Sequence, residues 1–441
     1  MTDPIFTPLE FRNLSVKNRL MRSSISGRID NYDGSGTPAR IAWEEKFARG
    51  GVGAIISAHA PVDVRGRILP NYAFIDHDDK IPFWQAVGEA VHAHDCKFIL
   101  QLSHGGRQQD IAGVENDDRL ALSSTGRPDS FHGIRCQPMT RREIARTVRQ
   151  FAAAARRARA AGLDGLELHA CNGYLFTQFL SSAINDRDDE YGGSLENRAR
   201  FLLEVIRAIR AEVGDDFHLQ VKISIVEDNN AIIFWDKPGN TAHESAQVCE
   251  WAQAAGADAI HVSMGSLFPH PNNPAGEFSV KDAMRTYDIM IDSGIHTLRN
   301  FLLFSNPLSR PFMRLLWNRT AVKEVEGLNL DAAEAIKEVV TVPVICTGGF
   351  QTASVIRRAI EDGRCDAVSM ARPLMANPDL PQIFAAGADE AESPCTYCNK
   401  CLDAVLEHPL GCYDVTRFDG DHDAMIAEVM SIFEPSGFAR V

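Results

Sequence analysis

The stretch LELHACNGYLFTQFL brings an imidazole, a carboxamide and a phenol within six residues, as His169, Asn172 and Tyr174. A His and an Asn can both donate hydrogen bonds to one carbonyl oxygen, polarising an enone. A Tyr hydroxyl can deliver a proton to the carbon opposite an arriving hydride. Taken singly, His169 reads as a satisfied core residue and Asn172 as a cap; three such groups at one strand end read as a site. A second cluster is SPCTYCNKCL, where Cys395, Cys398 and Cys401 form a CxxCxxC pattern that Cys412 completes in PLGC. Four thiolates can hold a 4Fe-4S cubane. A structural zinc is the rival, although zinc sites more often use two separated cysteine pairs, and reactive thiols without metal come third. A third constellation is VICTGGF with SMARPL. Gly348 and Gly349 offer backbone amides where glycine alone permits close approach, and Arg372, directly after Ala371, carries a guanidinium suited to bidentate phosphate binding. The glycines alone would make a plain tight turn; with Arg372 near, the pair reads as a phosphate cradle.

These residues need a scaffold that gathers distant segments at one face. The apolar runs are short, rich in Val, Ile and Leu, and separated by helix-period segments, the signature of parallel strands with crossover helices. Eight strands are expected, at residues 19–24, 52–58, 97–102, 165–170, 219–224, 259–263, 342–346 and 366–371, with helices over 141–161 and 195–213. Eight in series fit an α/β fold of the (β/α)8 TIM-barrel type, whose chemistry sits at the strand C-termini, where the motifs fall. The expected division is a barrel over residues 1–390 and a short cysteine-rich extension over 391–441. Roughly 65 residues separate the sixth strand from the helix before the seventh, where about 20 would serve. This insertion, at about 265–325, is expected to form a helical cover over the barrel mouth. Its stretch LRNFLLFSNPLSRPFMRLLWNR, with Arg299, Arg310, Arg314 and Arg319 and no acid, also has the character of a basic amphipathic surface.

Composition narrows the partners. A formal net charge of -14 argues against nucleic acid, because phosphate binding needs clustered cations. There is no run of 18 apolar residues for a membrane span, and MTDPIFTPLEF lacks a charged-then-apolar leader, so a cytoplasmic location is expected. Ten cysteines in such a chain read as thiols or ligands rather than disulfides, with those outside the tetrad, such as Cys96 and Cys249, in the core.

HxxNGY followed by QFLSSAINDRDDEYGGSLENR resembles the signature of the old yellow enzyme family, and the resemblance spans nearly the whole chain. It implies FMN, with His169 and Asn172 holding a substrate carbonyl or phenolate oxygen and Tyr174 donating the proton. It further implies that Gln101, in FILQLSHGGRQ, bonds the flavin pyrimidine edge, with His104 and Arg107 nearby, and that Gly348, Gly349, Ala371 and Arg372 surround the phosphate. Lys222 stands where most relatives have Arg; either cation suits negative charge at flavin N1 and C2=O. Ser26, in NRLMRSSISG, matches a position near flavin N5 that tunes its potential, and Ala58 would approach through its backbone. The cysteine tetrad resembles that of the iron-sulfur branch, which includes trimethylamine dehydrogenase and 2,4-dienoyl-CoA reductase, and so implies 4Fe-4S over zinc.

The expected function is therefore FMN-dependent, NAD(P)H-driven reduction of an activated C=C bond in an enone-like small molecule. The same groups would serve a dehydrogenase that oxidises a small amine and passes electrons through the cluster to a separate protein. A non-enzymatic electron-transfer module is the third reading, and the complete polar trio argues against it. Self-association is left open.

Overall fold

Alternating strands and helices build a closed barrel of eight parallel strands in chain order. In the computed structural model, which describes residues 3–109, 120–231, 234–277, 279–291 and 293–433, these are β1 (Leu20–Arg22), β2 (Ala54–Pro61), β3 (Lys97–Ser103), β4 (Gly165–Ala170), β5 (His218–Val226), β6 (Ala259–Met264), β7 (Val344–Thr347) and β8 (Ala367–Met370). All eight coincide with the expected runs. Almost every strand residue is buried, because helices cover the outer face and the closed interior covers the other. The helices Arg141–Ala160 and Ala242–Ala255 each open with a Thr/Glu capping box, at Thr140 with Glu143 and at Thr241 with Glu244.

Residues two apart on a strand share a face, so the barrel interior is layered. The floor is apolar: Met21, Ala54, Ile56, Ile99, Ala259, Ile345 and Ala367 pack on Leu9, Phe11 and Val16 of the N-terminal hairpin Leu9–Glu10/Ser15–Val16. The next layer up is polar, with Gln101, Glu167, Gln220 and His261 all buried. Above it lie His169 and Lys222, register partners on β4 and β5.

The long insertion after β6 is helical, as expected, with helices Val280–Ile289, Thr297–Ser305 and Arg310–Thr320. Its buried Tyr287, Met290, Phe304 and Trp317 face the cavity at the barrel mouth. The C-terminal extension returns to the barrel. Val405, Leu406 and Leu410 join the main core, and Lys46 of helix Pro38–Arg49 pairs with Glu428 of helix His422–Met430. The six cysteines outside the tetrad are buried free thiols. Among the described residues no helix is long and apolar enough to cross a membrane.

Candidate active site

The turn after β4 sets the central geometry. Asn172 (φ 60°) and Gly173 (φ 77°) are both left-handed, a conformation that Asn tolerates and Gly adopts freely. At Gly173 a Cβ would lie 2.2 Å from the Ser266 carbonyl oxygen, so the close approach of the insertion requires glycine. The turn places Tyr174 beside His169, ring centroids 4.8 Å apart, at the start of helix Leu175–Leu180. Asn172 Oδ1 accepts a 2.9 Å hydrogen bond from Asn273 Nδ2, which fixes the amide so that its own Nδ2 is the group left to donate.

His169, Asn172 and Tyr174 line one cavity of about 290 Å³ together with Ser26, Lys222, Gly348, Gly349, Ala371 and Arg372. Gln101 and Ala58 stand behind its wall. Gln101 Nε2 donates to Glu167 (2.7 Å) and to Ser24 (3.1 Å), and Ser24 lines the cavity. At Ala58 the β2 register against β3 slips by one residue between Ile56 and His59. The bulge turns His59, rather than Ala58, to the mouth, where its ring meets His169 edge-on at 4.5 Å and Tyr174 at 5.1 Å.

Burial dominates the electrostatics here. It drives the His169 pKa well below that of free imidazole, with His59 and Lys222 adding repulsion, and it lowers His59 to about 3. Both rings are therefore neutral. Burial also raises the Tyr174 phenol well above its usual value, so it keeps its proton. Lys222 Nζ donates to Ser23 Oγ at 2.9 Å, and among the described residues no carboxylate stands within ion-pair distance of it. Among the described residues, the buried His169 Nδ1 and Gln101 Oε1 at this end of the barrel have no protein partner. Such atoms are costly unless something satisfies them.

A family profile described as NADH:flavin oxidoreductase / NADH oxidase family matches residues 4–290. The chain belongs to that family. Among curated relatives, N,N-dimethylglycine/sarcosine dehydrogenase of Chromohalobacter salexigens is 30% identical, over 91% of this chain and 51% of its own length. Cinnamate reductase of Clostridium sporogenes is 28% identical, over 90% of this chain and 55% of its own. The chain thus spans about half the length of these relatives. A solved 2-naphthoyl-CoA reductase complex shares the fold, with a TM-score of 0.74 at 24% identity, over 96% of this chain and 58% of that one. The family match bears out the resemblance carried by the segment around Tyr174.

In this member of the NADH:flavin oxidoreductase family the phosphate-cradle candidates and the cysteine loop adjoin. Arg372 Nη1 donates to the Ala275 carbonyl (2.6 Å) and to Asn399 Oδ1 (2.5 Å), and its guanidinium lies 5.2 Å from the Tyr397 ring centroid. Tyr397 in turn donates its hydroxyl to the Gly349 carbonyl. Cys395, Cys398, Cys401 and Cys412 all border one small cavity beside Arg372, and the Tyr397 amide donates to Cys395 Sγ at 3.5 Å. Among the described residues no three His, Cys, Asp or Glu side chains gather closely enough to hold a single metal ion. Ser26 Oγ is paired with the Tyr72 hydroxyl.

Several members of the site escaped the sequence reading. Glu167 accepts from Gln101, Gln220 (2.5 Å) and His261 Nδ1 (2.6 Å), while His261 Nε2 lies 2.6 Å from Thr347 Oγ1 and 2.7 Å from Ser369 Oγ. Burial would raise the Glu167 carboxyl, but His261, the Lys222 charge and Gln220 hold it down at about 2. The available signal was the alternation itself, since an acid two residues before His169 shares its face.

Proposed function

We propose that the protein is an FMN-dependent oxidoreductase that uses NAD(P)H to reduce an activated C=C bond in an enone-like small molecule, with a 4Fe-4S cluster on Cys395, Cys398, Cys401 and Cys412. The observation that carries this reading is the pairing of the unsatisfied His169 Nδ1 with a Tyr174 phenol that stays protonated beside it. The cavity also suits a flavin: among the described residues Lys222 is a buried cation with no carboxylate in ion-pair contact, Gln101 Oε1 lacks a donor, and Gly348, Gly349 and Arg372 adjoin at one corner. For the tetrad, four thiols bordering one cavity, three of them in a CxxCxxC run rather than two separated pairs, favour a cubane over zinc. Bound there, FMN supplies hydride transfer and the cluster single-electron transfer.

The chain's own groups do the rest. His169, neutral and desolvated, and the Asn172 amide, held by Asn273, donate to the substrate carbonyl oxygen and stabilise the charge that builds on it. Tyr174 delivers its proton to the carbon that does not receive hydride. Lys222 offers positive charge beside the place where reduction would build negative charge. Phe304, Trp317 and Met290 give the mouth apolar walls.

Anaerobic mixing tests the assignment. NADPH or NADH should bleach the flavin absorbance and 2-cyclohexenone should restore it. Bleaching by a small secondary or tertiary amine, with no response to either nicotinamide, would instead establish the dehydrogenase reading that the sarcosine-oxidising relative's name suggests.

A further inference from the structure

The outer face of the insertion combines cations with exposed apolar side chains. From Ser293 to Lys323 there are five cations, Arg299, Arg310, Arg314, Arg319 and Lys323, and no carboxylate, in a chain of net charge -14. Helices Thr297–Ser305 and Arg310–Thr320 turn Phe304 and Trp317 inward to the cavity, and leave Leu298 (51%), Leu302 (58%), Leu308 (89%), Phe312 (58%) and Leu315 (67%) exposed. A neighbouring loop adds Phe234 and Trp235, 59% and 74% exposed, and is tied to the insertion by Thr320 Oγ1 donating to the Ala231 carbonyl at 3.3 Å. Arg299 and Arg310 anchor on backbone carbonyls, of Ser130 and Phe304, whereas Arg314, Arg319 and Lys323 make no ion pair among the described residues.

Large apolar side chains clustered in water mark a surface that is covered in use. Charge selects what covers it. A second copy docked face to face would set these cations against each other. An anionic partner is required, and Leu308 and Phe312 stand proud of the surface, which suits insertion among fluid acyl chains. We propose that this face seats the protein on an anionic lipid bilayer as a peripheral, non-spanning attachment, with the leucines and aromatics at acyl depth and the arginines at the headgroup phosphates. Because the same two helices line the cavity on their inner side, docking sets the cavity's cover against the membrane and points to a lipophilic substrate. That last step rests on the function proposed above; the attachment does not.

Flotation of the flavin-loaded protein with vesicles separates the two. Wild type should co-float with phosphatidylcholine vesicles containing phosphatidylglycerol and remain behind with phosphatidylcholine alone. Arg314→Gln with Arg319→Gln should weaken partitioning about thirtyfold, the loss expected for two headgroup cations. Leu308→Ser with Phe312→Ser should abolish flotation while leaving the thermal melt and the flavin spectrum unchanged. Failure of wild type to float on anionic vesicles, or equal flotation of either double variant, would overturn the proposal. So would a wild-type dimer that the Leu308→Ser/Phe312→Ser protein fails to form, since the face would then belong to a second copy.

Discussion

Replacing Glu167 by Gln removes a buried negative charge from the polar layer of the barrel while keeping the side chain's shape. Three donors converge on the carboxylate, from Gln101, Gln220 and His261, and it is fully buried. A carboxyl held at about 2 instead of 4.5 contributes roughly 3 kcal/mol to folding at neutral pH, at about 1.4 kcal/mol per tenfold change. An amide at this position must turn an N–H toward at least one of those donors; breaking a buried charged network costs about 3–5 kcal/mol, and amide flips at Gln101 and Gln220 pull the figure to the lower end. The expectation is a loss of about 3 kcal/mol in guanidinium unfolding at pH 7. The sign with pH follows from the direction of the shift. Folding lowers this pKa, so the contribution is complete above about 4.5 and drains away as pH falls toward about 2. The gap between wild type and Glu167→Gln should therefore narrow by about 1.4 kcal/mol at about pH 3.5. A gap below about 1 kcal/mol at pH 7, or one that does not narrow in acid, would show that Glu167 is not the charged hub described here.

His169→Ala should slow flavin reoxidation by an enone about a hundredfold, the usual consequence of losing one such donor, and change flavin reduction by NADPH much less; rapid-mixing absorbance follows both steps. Tyr174→Phe should slow alkene reduction but spare quinone reduction, which needs no proton on carbon, and equal losses with both acceptors would remove Tyr174 from the role of acid. Cys401→Ser should strip iron, measured by metal analysis, and stop reduction of ferricenium while alkene reduction persists; stoichiometric zinc without iron in the wild type would leave the tetrad as a brace.

The barrel was legible because each parallel strand is buried on both faces and so reads as an apolar run, even where its ends differ by a few residues. The trio was legible because β4 and its turn carry all three groups in one segment. His59 was not. β2 was expected to stop at residue 58, and the bulge that turns His59 inward has no pattern in an all-buried strand. Asn273, which orients Asn172, lies 101 residues away inside the insertion, and Tyr72, which pairs with Ser26, sits in an irregular loop. Such partners are set by tertiary placement, which local spacing does not encode. The insertion announced itself by length, but the opposite characters of its two faces emerged only from the packing of its helices.

Arg372, Asn399, Tyr397 and Gly349 form a continuous chain of contacts from the cysteine loop to the glycine turn at the cavity's corner. Linkage makes such a chain reciprocal: if a group bound by the thiols firms the loop and thereby tightens whatever sits at Gly349, the occupant of that corner must firm the thiol site by the same factor. Loading of the two sites is then cooperative without any contact between their occupants. A preparation short of one should be short of the other, and supplying either alone should recover part of both.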